Sequence, residues 1–279
     1  MAPWTYSDDS YREYTRTTWN ESAETYVKLL RNLEPYGFDL LARMDPKIRE
    51  RCLDIATGPG EPAMSIARMV GFDGRVVGID LSEEMVRLGT KIAKERRIPN
   101  VEFRAMDAEK MDFPDESFDL AVSRFGFQIF TNPEGVAKEA FRVLAPKGRI
   151  GATVWSSAEK ASAIHAVIGP MLEFAEPDET GYLPTPYELG GKGEMVKLLE
   201  DAGFHEGKEE RKTHVMVYKD ADEYFNIFVE GTPLGHSIRE EDPAVQKKII
   251  ARTRDNLRQW RTRRGLEIPC ECVTVTARK

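Results

Sequence analysis

The feature that most constrains the fold is an alternation of strand-like and helix-like segments between Arg51 and Ser156. The predicted strands are 52–55, 75–80, 101–107, 118–125 and 149–155, and the predicted helices between them are 62–70, 82–95 and 133–144. A helix that connects two parallel strands packs back onto their sheet, so this order predicts an α/β fold. We therefore expect a doubly wound, mostly parallel sheet with helices on both faces.

Segments with helical periodicity lie on both sides of this core and divide the chain into four parts. Residues 1–50 predict an N-terminal helical cap that is rich in aromatic side chains, and residues 51–156 form the core itself. Residues 157–236 predict a second cap of helix and loop, with a return of the chain to the sheet as a strand over 214–218. Residues 237–279 predict a basic helix over about 243–263 and a final strand.

Composition and charge exclude several classes of protein. The chain has 40 Lys and Arg residues against 47 Asp and Glu, a net charge of −7, which disfavours a nucleic-acid partner. It has no apolar run long enough to span a membrane and no signal-peptide pattern, so we expect a cytoplasmic protein. Three cysteines and four scattered histidines, without a metal-ligand spacing, predict no metal site.

Acidic side chains stand at the ends of the first three predicted strands: Asp54, Asp80 and Asp107. Gly58 and Gly60 form the turn after the first strand, where a ligand can approach a backbone without side chains. Ligands of doubly wound sheets bind at this carboxyl edge. A carboxylate at the second strand suits a ribose diol, and one at the third suits the amino group of adenine. The three ends together predict a nucleoside pocket.

Two nucleoside cofactors compete for this pocket. Residues 58–63 satisfy the G-x-G-x-x-A pattern of dinucleotide-binding folds, and Asp80 has the spacing that such a fold requires. However, Asp54 would repel a pyrophosphate at the turn, and Pro62 lacks an N–H group that a pyrophosphate would need. The residues favour a positively charged nucleoside, with an NAD-dependent oxidoreductase as the alternative.

At these segments the sequence resembles the class I S-adenosylmethionine-dependent methyltransferases, in their ubiquinone/menaquinone methyltransferase-like branch (methyltransferase type 11). The segments that carry the resemblance are 53–63, 77–82, 107–108, 118–123 and 139–148. The chain departs from the family at Ala56, where glycine is usual. The resemblance implies a Rossmann-like sheet of seven strands in the order 3-2-1-4-5-7-6, with the last strand antiparallel and a helical insertion after strand 5.

The same resemblance implies S-adenosyl-L-methionine as the cofactor and assigns its contacts. Residues at the first turn line the methionine end, Asp80 and Leu81 hold the ribose, and Asp107 with Ala108 holds the adenine. Ser123 and Arg124 border the transferable methyl group. The complete predicted cofactor set is Asp54, Ala56, Thr57, Gly58, Gly60, Asp80, Leu81, Met85, Met106, Asp107, Ala108, Ser123 and Arg124.

The acceptor side is expected to come from the two caps. Their aromatic character suits a small aromatic or lipophilic molecule, methylated on an oxygen, carbon or nitrogen atom. The predicted acceptor contacts are Trp19, Tyr26, Phe127, Trp155, Tyr182 and Tyr187. Where the acceptor must lose a proton, His165 and His236 are the candidate bases.

The basic helix supports a different acceptor. Residues 247–264 contain eight Lys and Arg residues against one acid, Asp255, a local charge of +7 that could hold phosphates. An RNA or protein methyltransferase is therefore an alternative. Apolar residues at helical spacing in the same segment favour an ordinary amphipathic surface helix.

Overall fold

A computed structural model describes residues 8–175 and 186–279. In these residues eight strands form one sheet in the order β3-β2-β1-β4-β5-β8-β6, and β7 pairs with β8 beside this path. The strands are β1 Arg51–Ile55, β2 Arg75–Asp80, β3 Val101–Ala105, β4 Phe118–Arg124, β5 Leu144–Trp155, β6 His205–Tyr218, β7 Arg261–Thr262 and β8 Gly265–Arg278. The order of the seven long strands is the one that the resemblance implied, and the eighth strand, β7, has only two residues.

Strand direction also agrees with the prediction. The pairs β1–β2, β2–β3, β1–β4 and β4–β5 are parallel. Strand β8 runs antiparallel to β5 and to β6. All five strands β1–β5 therefore end at one edge of the sheet, where the turns that follow them converge.

Nine α-helices accompany the strands in the described residues. They are α1 Asp8–Met44, α2 Ala63–Val70, α3 Glu83–Glu95, α4 Pro133–Val143, α5 Ser162–Phe174, α6 Glu194–Asp201, α7 Ala221–Tyr224, α8 Pro233–Glu240 and α9 Pro243–Leu257. Two predicted helix starts carry side-chain caps: Ser82 accepts a hydrogen bond from the Met85 N–H at 3.1 Å, and Asn132 accepts one from the Gly135 N–H at 2.9 Å.

The core has separate apolar layers on the two faces of the sheet. Helices α2 and α3 pack on one face with the C-terminal part of α1, and α4 and α6 pack on the other. A further apolar cluster joins the middle of α1 to α5, α8 and α9 and to the outer strands β6 and β8. The parallel sheet is thus covered on both faces, as the alternating sequence pattern predicts.

Helix α1 is a single helix of 37 residues. Its middle part buries Leu29, Leu33 and Tyr36 in the cluster shared with α5 and α8. The Asn32 side chain bridges the backbone of Val217 on β6, accepting from its N–H at 2.9 Å and donating to its carbonyl oxygen at 3.2 Å. This contact covers part of the open edge of the sheet.

Several predicted boundaries in the second half of the chain are wrong. Strand β6 begins at His205 and not at residue 214, because its first half is a charged edge strand without an apolar alternation. The predicted helix over 243–263 ends at Leu257, since Arg261 and Thr262 pair with β8. Helix α8 was not predicted, because its eight residues offer only Leu234 and Ile238 at helical spacing. No helix in the described ranges combines the length and apolarity needed to cross a bilayer.

Candidate functional site

The turn after β1 brings the backbone of residues 56–60 to the carboxyl edge of the sheet. Ala56, Gly58 and Gly60 all have positive φ angles, of 57°, 56° and 103°. A Cβ atom on Gly60 would lie 2.7 Å from side-chain atoms of Met64 and Phe103, so a larger residue there would require repacking. On Gly58 it would lie 3.5 Å from the ring of Tyr26. The turn therefore depends on glycine at Gly60 and lies directly beneath α1.

Asp54, on β1, is fully buried beneath this turn. Its Oδ2 accepts hydrogen bonds from the Thr57 hydroxyl at 2.6 Å and from the Ala63 N–H at 3.0 Å. Its Oδ1 is buried without a hydrogen-bond partner in the described residues. Burial raises the pKa of Asp54 to about 7, against the smaller lowering effects of the Thr57 hydrogen bond and the Arg124 charge. One carboxylate oxygen is thus available to a cation.

Asp80 ends β2 and joins it to the turn after β1. Its Oδ2 accepts from the Gly58 N–H at 2.8 Å, and its Oδ1 accepts from the Ser82 N–H at 3.0 Å. Burial raises the pKa of this carboxyl to about 6, although the backbone hydrogen bonds favour the ionised form. The carboxylate lies on the wall of the cavity described below.

Asp107 lies two residues beyond the end of β3, which stops at Ala105 and not at residue 107 as predicted. The loop is held to β2 by the hydrogen bond from the Met106 N–H to the Asp80 carbonyl at 2.9 Å. Asp107 Oδ1 accepts from the Glu109 N–H at 2.8 Å, and its Oδ2 lies 3.2 Å from the Nε of Arg12 on α1. This loop and the first turns of α1 thus form two sides of one recess.

Ser123 and Arg124 close β4 in different ways. The Ser123 hydroxyl is fully buried and donates to the carbonyl oxygen of Ile55 at 2.9 Å, which ties the ends of β4 and β1 together. Arg124 is 6% exposed, and its guanidinium donates to the Leu33 carbonyl at 3.4 Å. The buried Nε of Arg124 has no hydrogen-bond partner in the part of the chain described. Arg124 also interacts with the Tyr26 hydroxyl and with the Asp54 charge, and its unpaired Nε can still donate to a bound anion.

A cavity of about 470 Å³ opens above these strand ends. The stacked rings of Phe125 and Trp155, 3.8 Å apart at an interplanar angle of 19°, contribute a flat aromatic wall. Helices α1, α5 and α8 supply aliphatic side chains, among them Leu33, Ile164 and Leu234. A smaller recess, at the Asp107 loop, shares wall residues with this cavity.

The structure brings many of the predicted site residues to these walls. Among the predicted cofactor contacts, those that line the cavity or its recess are Ala56, Gly58, Asp80, Leu81, Met85, Met106, Asp107, Ala108 and Arg124. Among the predicted acceptor contacts, those that line the cavity are Trp19, Tyr26, Phe127 and Trp155. Asp54, Thr57, Gly60 and Ser123 support the walls from beneath.

Four other predicted residues are placed differently. Tyr187 and His165 are neighbours, with ring centroids 6.2 Å apart, and neither is a wall residue of the cavity. His236 lies 2.9 Å from a carboxylate oxygen of Glu21 and is not a wall residue either. Tyr182 lies outside the described residues. A role as base for either histidine therefore stays a prediction.

Some wall residues were not indicated by the sequence. Arg12, Leu29 and Leu33 reach the site from α1, and Gln128 fixes the end of β5 by accepting a hydrogen bond from the Trp155 N–H at 2.9 Å. The helical periodicity of residues 1–50 could have indicated Leu29 and Leu33. No local sequence pattern predicts that Arg12 contacts the Asp107 loop, which lies almost a hundred residues further along the chain.

Half of the eight cations in the basic segment over 247–264 form ion pairs on the surface with residues that the structure describes. Four of its cations form ion pairs: Arg252 with Glu173, Arg254 with Asp222, Arg258 with Asp255, and Arg264 with Glu267. None of its residues is among the wall residues of the cavity or the recess. This arrangement agrees with an amphipathic surface helix.

Comparison with known proteins gives consistent matches. The family model described as "Methyltransferase domain" matches residues 52–148. The ubiquinone/menaquinone biosynthesis C-methyltransferase of Hydrogenovibrio crunogenus is 39% identical over 99 residues, which are 35% of this chain and 39% of that protein. The aklanonic acid methyltransferase of a Streptomyces species is 33% identical over 147 residues, 52% of this chain and 67% of that protein. The chain thus matches well under half of the first relative's length.

A solved structure supports the fold over a larger part of the chain. The YcgJ protein from Bacillus subtilis superposes with a TM-score of 0.60 at 20% sequence identity, covering 89% of this chain and 98% of that one. At this identity the likeness concerns the fold alone. The likeness in fold therefore extends well beyond residues 52–148, which the family model matches.

Proposed function

We propose that this chain, which belongs to the class I S-adenosylmethionine-dependent methyltransferases of the ubiquinone/menaquinone methyltransferase-like branch, methylates a small aromatic or lipophilic molecule. S-adenosyl-L-methionine is the cofactor of this family, and when bound it supplies an electrophilic methyl group on a sulfonium centre. The proposal covers the methyl-transfer activity of the whole chain and the class of its acceptor. The acceptor is methylated on an oxygen, carbon or nitrogen atom.

The observation that carries the proposal is the pair of unsatisfied atoms beside the cavity. Asp54 Oδ1 and Arg124 Nε are buried, and neither atom has a hydrogen-bond partner in the described residues. The methionine part of the cofactor carries an ammonium and a carboxylate, the two groups that these atoms lack. A pyrophosphate at the turn would instead meet the Asp54 carboxylate, which disfavours NAD.

The remaining wall residues fit a nucleoside. Asp80 would hold the ribose, and Leu81, Met106 and Ala108 offer apolar surface for the adenine, with Asp107 facing its amino group. Glycine at Gly58 leaves the backbone accessible at the methionine end. These residues orient the cofactor, and their own bonds to the backbone fix them before it arrives.

The protein's contribution to catalysis is alignment of the acceptor and exclusion of water. Holding two reactants at near-contact distance can lower the activation free energy by about 7 to 11 kcal/mol. The flat wall of Phe125 and Trp155 would orient a planar ring, and the aliphatic residues of α1, α5 and α8 would enclose it. No fixed base is required where the acceptor carries an acidic hydroxyl or an activated ring carbon.

The acceptor class follows from the apolar wall and its size. The cavity of about 470 Å³ also holds the methionine and ribose parts of the cofactor, so the space that remains suits a compact planar molecule. The two relatives are named for quinone biosynthesis and for aklanonic acid. We therefore favour quinone-like or polycyclic aromatic acceptors over RNA or protein.

A methyl-transfer assay with labelled cofactor tests the proposal. The protein is incubated with S-adenosyl-L-methionine labelled on the methyl group and, separately, with a ring-hydroxylated naphthoquinone, a hydroxyanthraquinone carboxylic acid, transfer RNA and a peptide mixture. We expect label in an aromatic compound and none in RNA or peptide. Label confined to RNA or peptide, or calorimetric binding of NADH in place of S-adenosylhomocysteine, would contradict the proposal.

A further inference from the structure

The first turns of α1 cover the recess at the Asp107 loop. Arg12 and Thr15 line it from the α1 side, opposite Leu81, Met106 and Ala108. The Arg12 guanidinium forms ion pairs with Asp107, at 3.2 Å, and with Glu109. The side chains of Arg12, Asp107 and Glu109 are 28%, 35% and 10% exposed, so these pairs are partly screened from solvent. Both the packing of α1 and the ion pairs of Arg12 therefore cover this side of the recess.

The same ion pairs fix the carboxylate that faces the recess. Asp107 Oδ1 accepts from the Glu109 N–H, while its Oδ2 faces Arg12. Glu109 in turn accepts from the Thr131 hydroxyl at 2.9 Å, and Thr131 also lines the recess. Arg12 thus joins the loops after β3 and β4 to α1.

Other contacts hold α1 beyond the recess. Arg16 pairs with Glu83 at 2.9 Å, and the Asn20 side-chain oxygen accepts from the Ser82 hydroxyl at 2.7 Å, so both attach α1 to the start of α3. The Tyr14 hydroxyl lies 2.8 Å from the Ser237 hydroxyl of α8, which holds the start of the helix as well. Opening the Arg12 pairs would therefore move the Arg12 side chain away from the recess while α1 stays attached.

We infer that Arg12 is a positioning residue and an electrostatic latch for the adenine end of the cofactor. It holds Asp107 in place as an acceptor for the amino group, and its release from Asp107 and Glu109 lets the nucleoside exchange. This inference rests on the proposed function, because it takes the recess to be the adenine site. Partly exposed ion pairs are individually weak and sensitive to salt, so such a latch opens readily.

Displacement kinetics test the latch directly. The protein is loaded with S-adenosylhomocysteine and mixed rapidly with excess S-adenosyl-L-methionine, and the change in tryptophan fluorescence is followed, since Trp19 lines the cavity. We expect Arg12→Gln to speed dissociation of S-adenosylhomocysteine about fivefold, as loss of weak ion pairs implies. Arg12→Lys should restore most of the wild-type rate because it keeps the charge. The dissociation rate of the wild type should rise with sodium chloride, and that of Arg12→Gln should change little.

Arg16→Gln is the matched control, because Arg16 lies one turn further along the same helix and is not a wall residue of the recess. Its dissociation rate should equal that of the wild type. Equal rates for Arg12→Gln and the wild type, an equal increase in Arg16→Gln, or a salt response that survives in Arg12→Gln would overturn the latch. Failure of the wild type to bind S-adenosylhomocysteine would instead overturn the proposed function, and the latch with it.

Discussion

At the scale of single residues, the two buried carboxylates at the strand ends carry most of the chemistry of the site. Asp80 accepts from the Gly58 and Ser82 N–H groups and lines the cavity, so its charge and its position are both fixed. We expect Asp80→Ala to weaken binding of S-adenosylhomocysteine by more than about 1.4 kcal/mol, or tenfold, because charge-assisted hydrogen bonds to the ribose are lost. Isothermal titration calorimetry measures the change.

The control for that variant is Asp73→Ala. Asp73 is an exposed acid before the start of β2, paired with Arg49 at 3.2 Å and remote from the cavity walls. Its removal should leave the affinity within about twofold, since exposed ion pairs contribute little. Unchanged affinity in Asp80→Ala would argue against a ribose site at the end of β2.

The raised pKa of Asp54 predicts a pH dependence of cofactor binding. Burial raises this pKa to about 7, so the carboxyl gains a proton as the pH falls through 7 and loses its attraction for an ammonium group. A bound cation favours the ionised form, so binding below pH 7 must release a proton. The dissociation constant of S-adenosyl-L-methionine should therefore rise by up to about tenfold per pH unit below 7 and level off above it.

Calorimetry between pH 6 and 8.5, above the pKa of about 6 of the Asp80 carboxyl, checks this prediction, with Asp54→Asn as the comparison. The asparagine variant should bind more weakly at pH 8 and show a much flatter profile, because residue 54 no longer titrates. An identical slope in both proteins would assign the pH dependence to another group.

At this scale, the sequence predicts contacts between residues that are close in the chain better than contacts between distant ones. Asp54, Gly58 and Asp80 lie at strand ends and in one tight turn, where local chemistry determines the conformation, and the structure places them at the predicted edge. Arg12 meets Asp107 only because α1 folds over the sheet. Such a contact depends on the packing of whole elements, which a local pattern does not contain.

At the scale of elements, α1 has a structural function at the open edge of the sheet. Asn32, 7% exposed, satisfies both the N–H and the carbonyl group of Val217 on β6. We expect Asn32→Ala to lower the free energy of unfolding by about 1 to 3 kcal/mol, because two backbone groups lose their partners in a largely enclosed position. Urea denaturation followed by circular dichroism measures the difference.

Lys28→Ala offers a control on the exposed side of the same helix, where removal of a solvated side chain should change stability by less than about 0.5 kcal/mol. If the two variants were equally stable, water would satisfy the backbone groups of Val217 as well as Asn32 does, and the Asn32 bridge would not stabilise the fold.

The elements themselves were predicted unevenly. Strands β1, β2 and β4 and helices α3 and α4 follow from apolar periodicity and from the caps at Ser82 and Asn132. The charged first half of β6 lacks that periodicity, and α8 has only Leu234 and Ile238 at helical spacing, because the partners that stabilise both elements come from distant parts of the chain. Pairing in space, not local preference, determines these two elements.

At the scale of the whole molecule, two parts of the chain divide the site between them. The proposed cofactor contacts come mainly from the sheet edge, within the segment that the family model matches, 52–148. The apolar wall around the acceptor comes largely from α1, α5 and α8, outside that segment. The sequence could therefore predict the cofactor side from shared motifs and the acceptor side only through its aromatic residues, whereas aliphatic wall residues such as Leu33, Ile164 and Leu234 required the packed structure.

This division predicts that acceptor and cofactor binding can be changed separately. Leu234, on α8, lines the cavity and is 8% exposed. Leu234→Phe adds volume at the acceptor wall, so we expect the KM for the aromatic acceptor found in the assay above to rise about tenfold through steric conflict. The dissociation constant of S-adenosylhomocysteine should stay within about twofold. Leu172 lies on α5 and is 41% exposed, so Leu172→Phe should change neither value. An equal loss of cofactor affinity in Leu234→Phe would mean that the caps and the sheet edge form one inseparable site, because the substitution lies on an element that is not expected to touch the nucleoside.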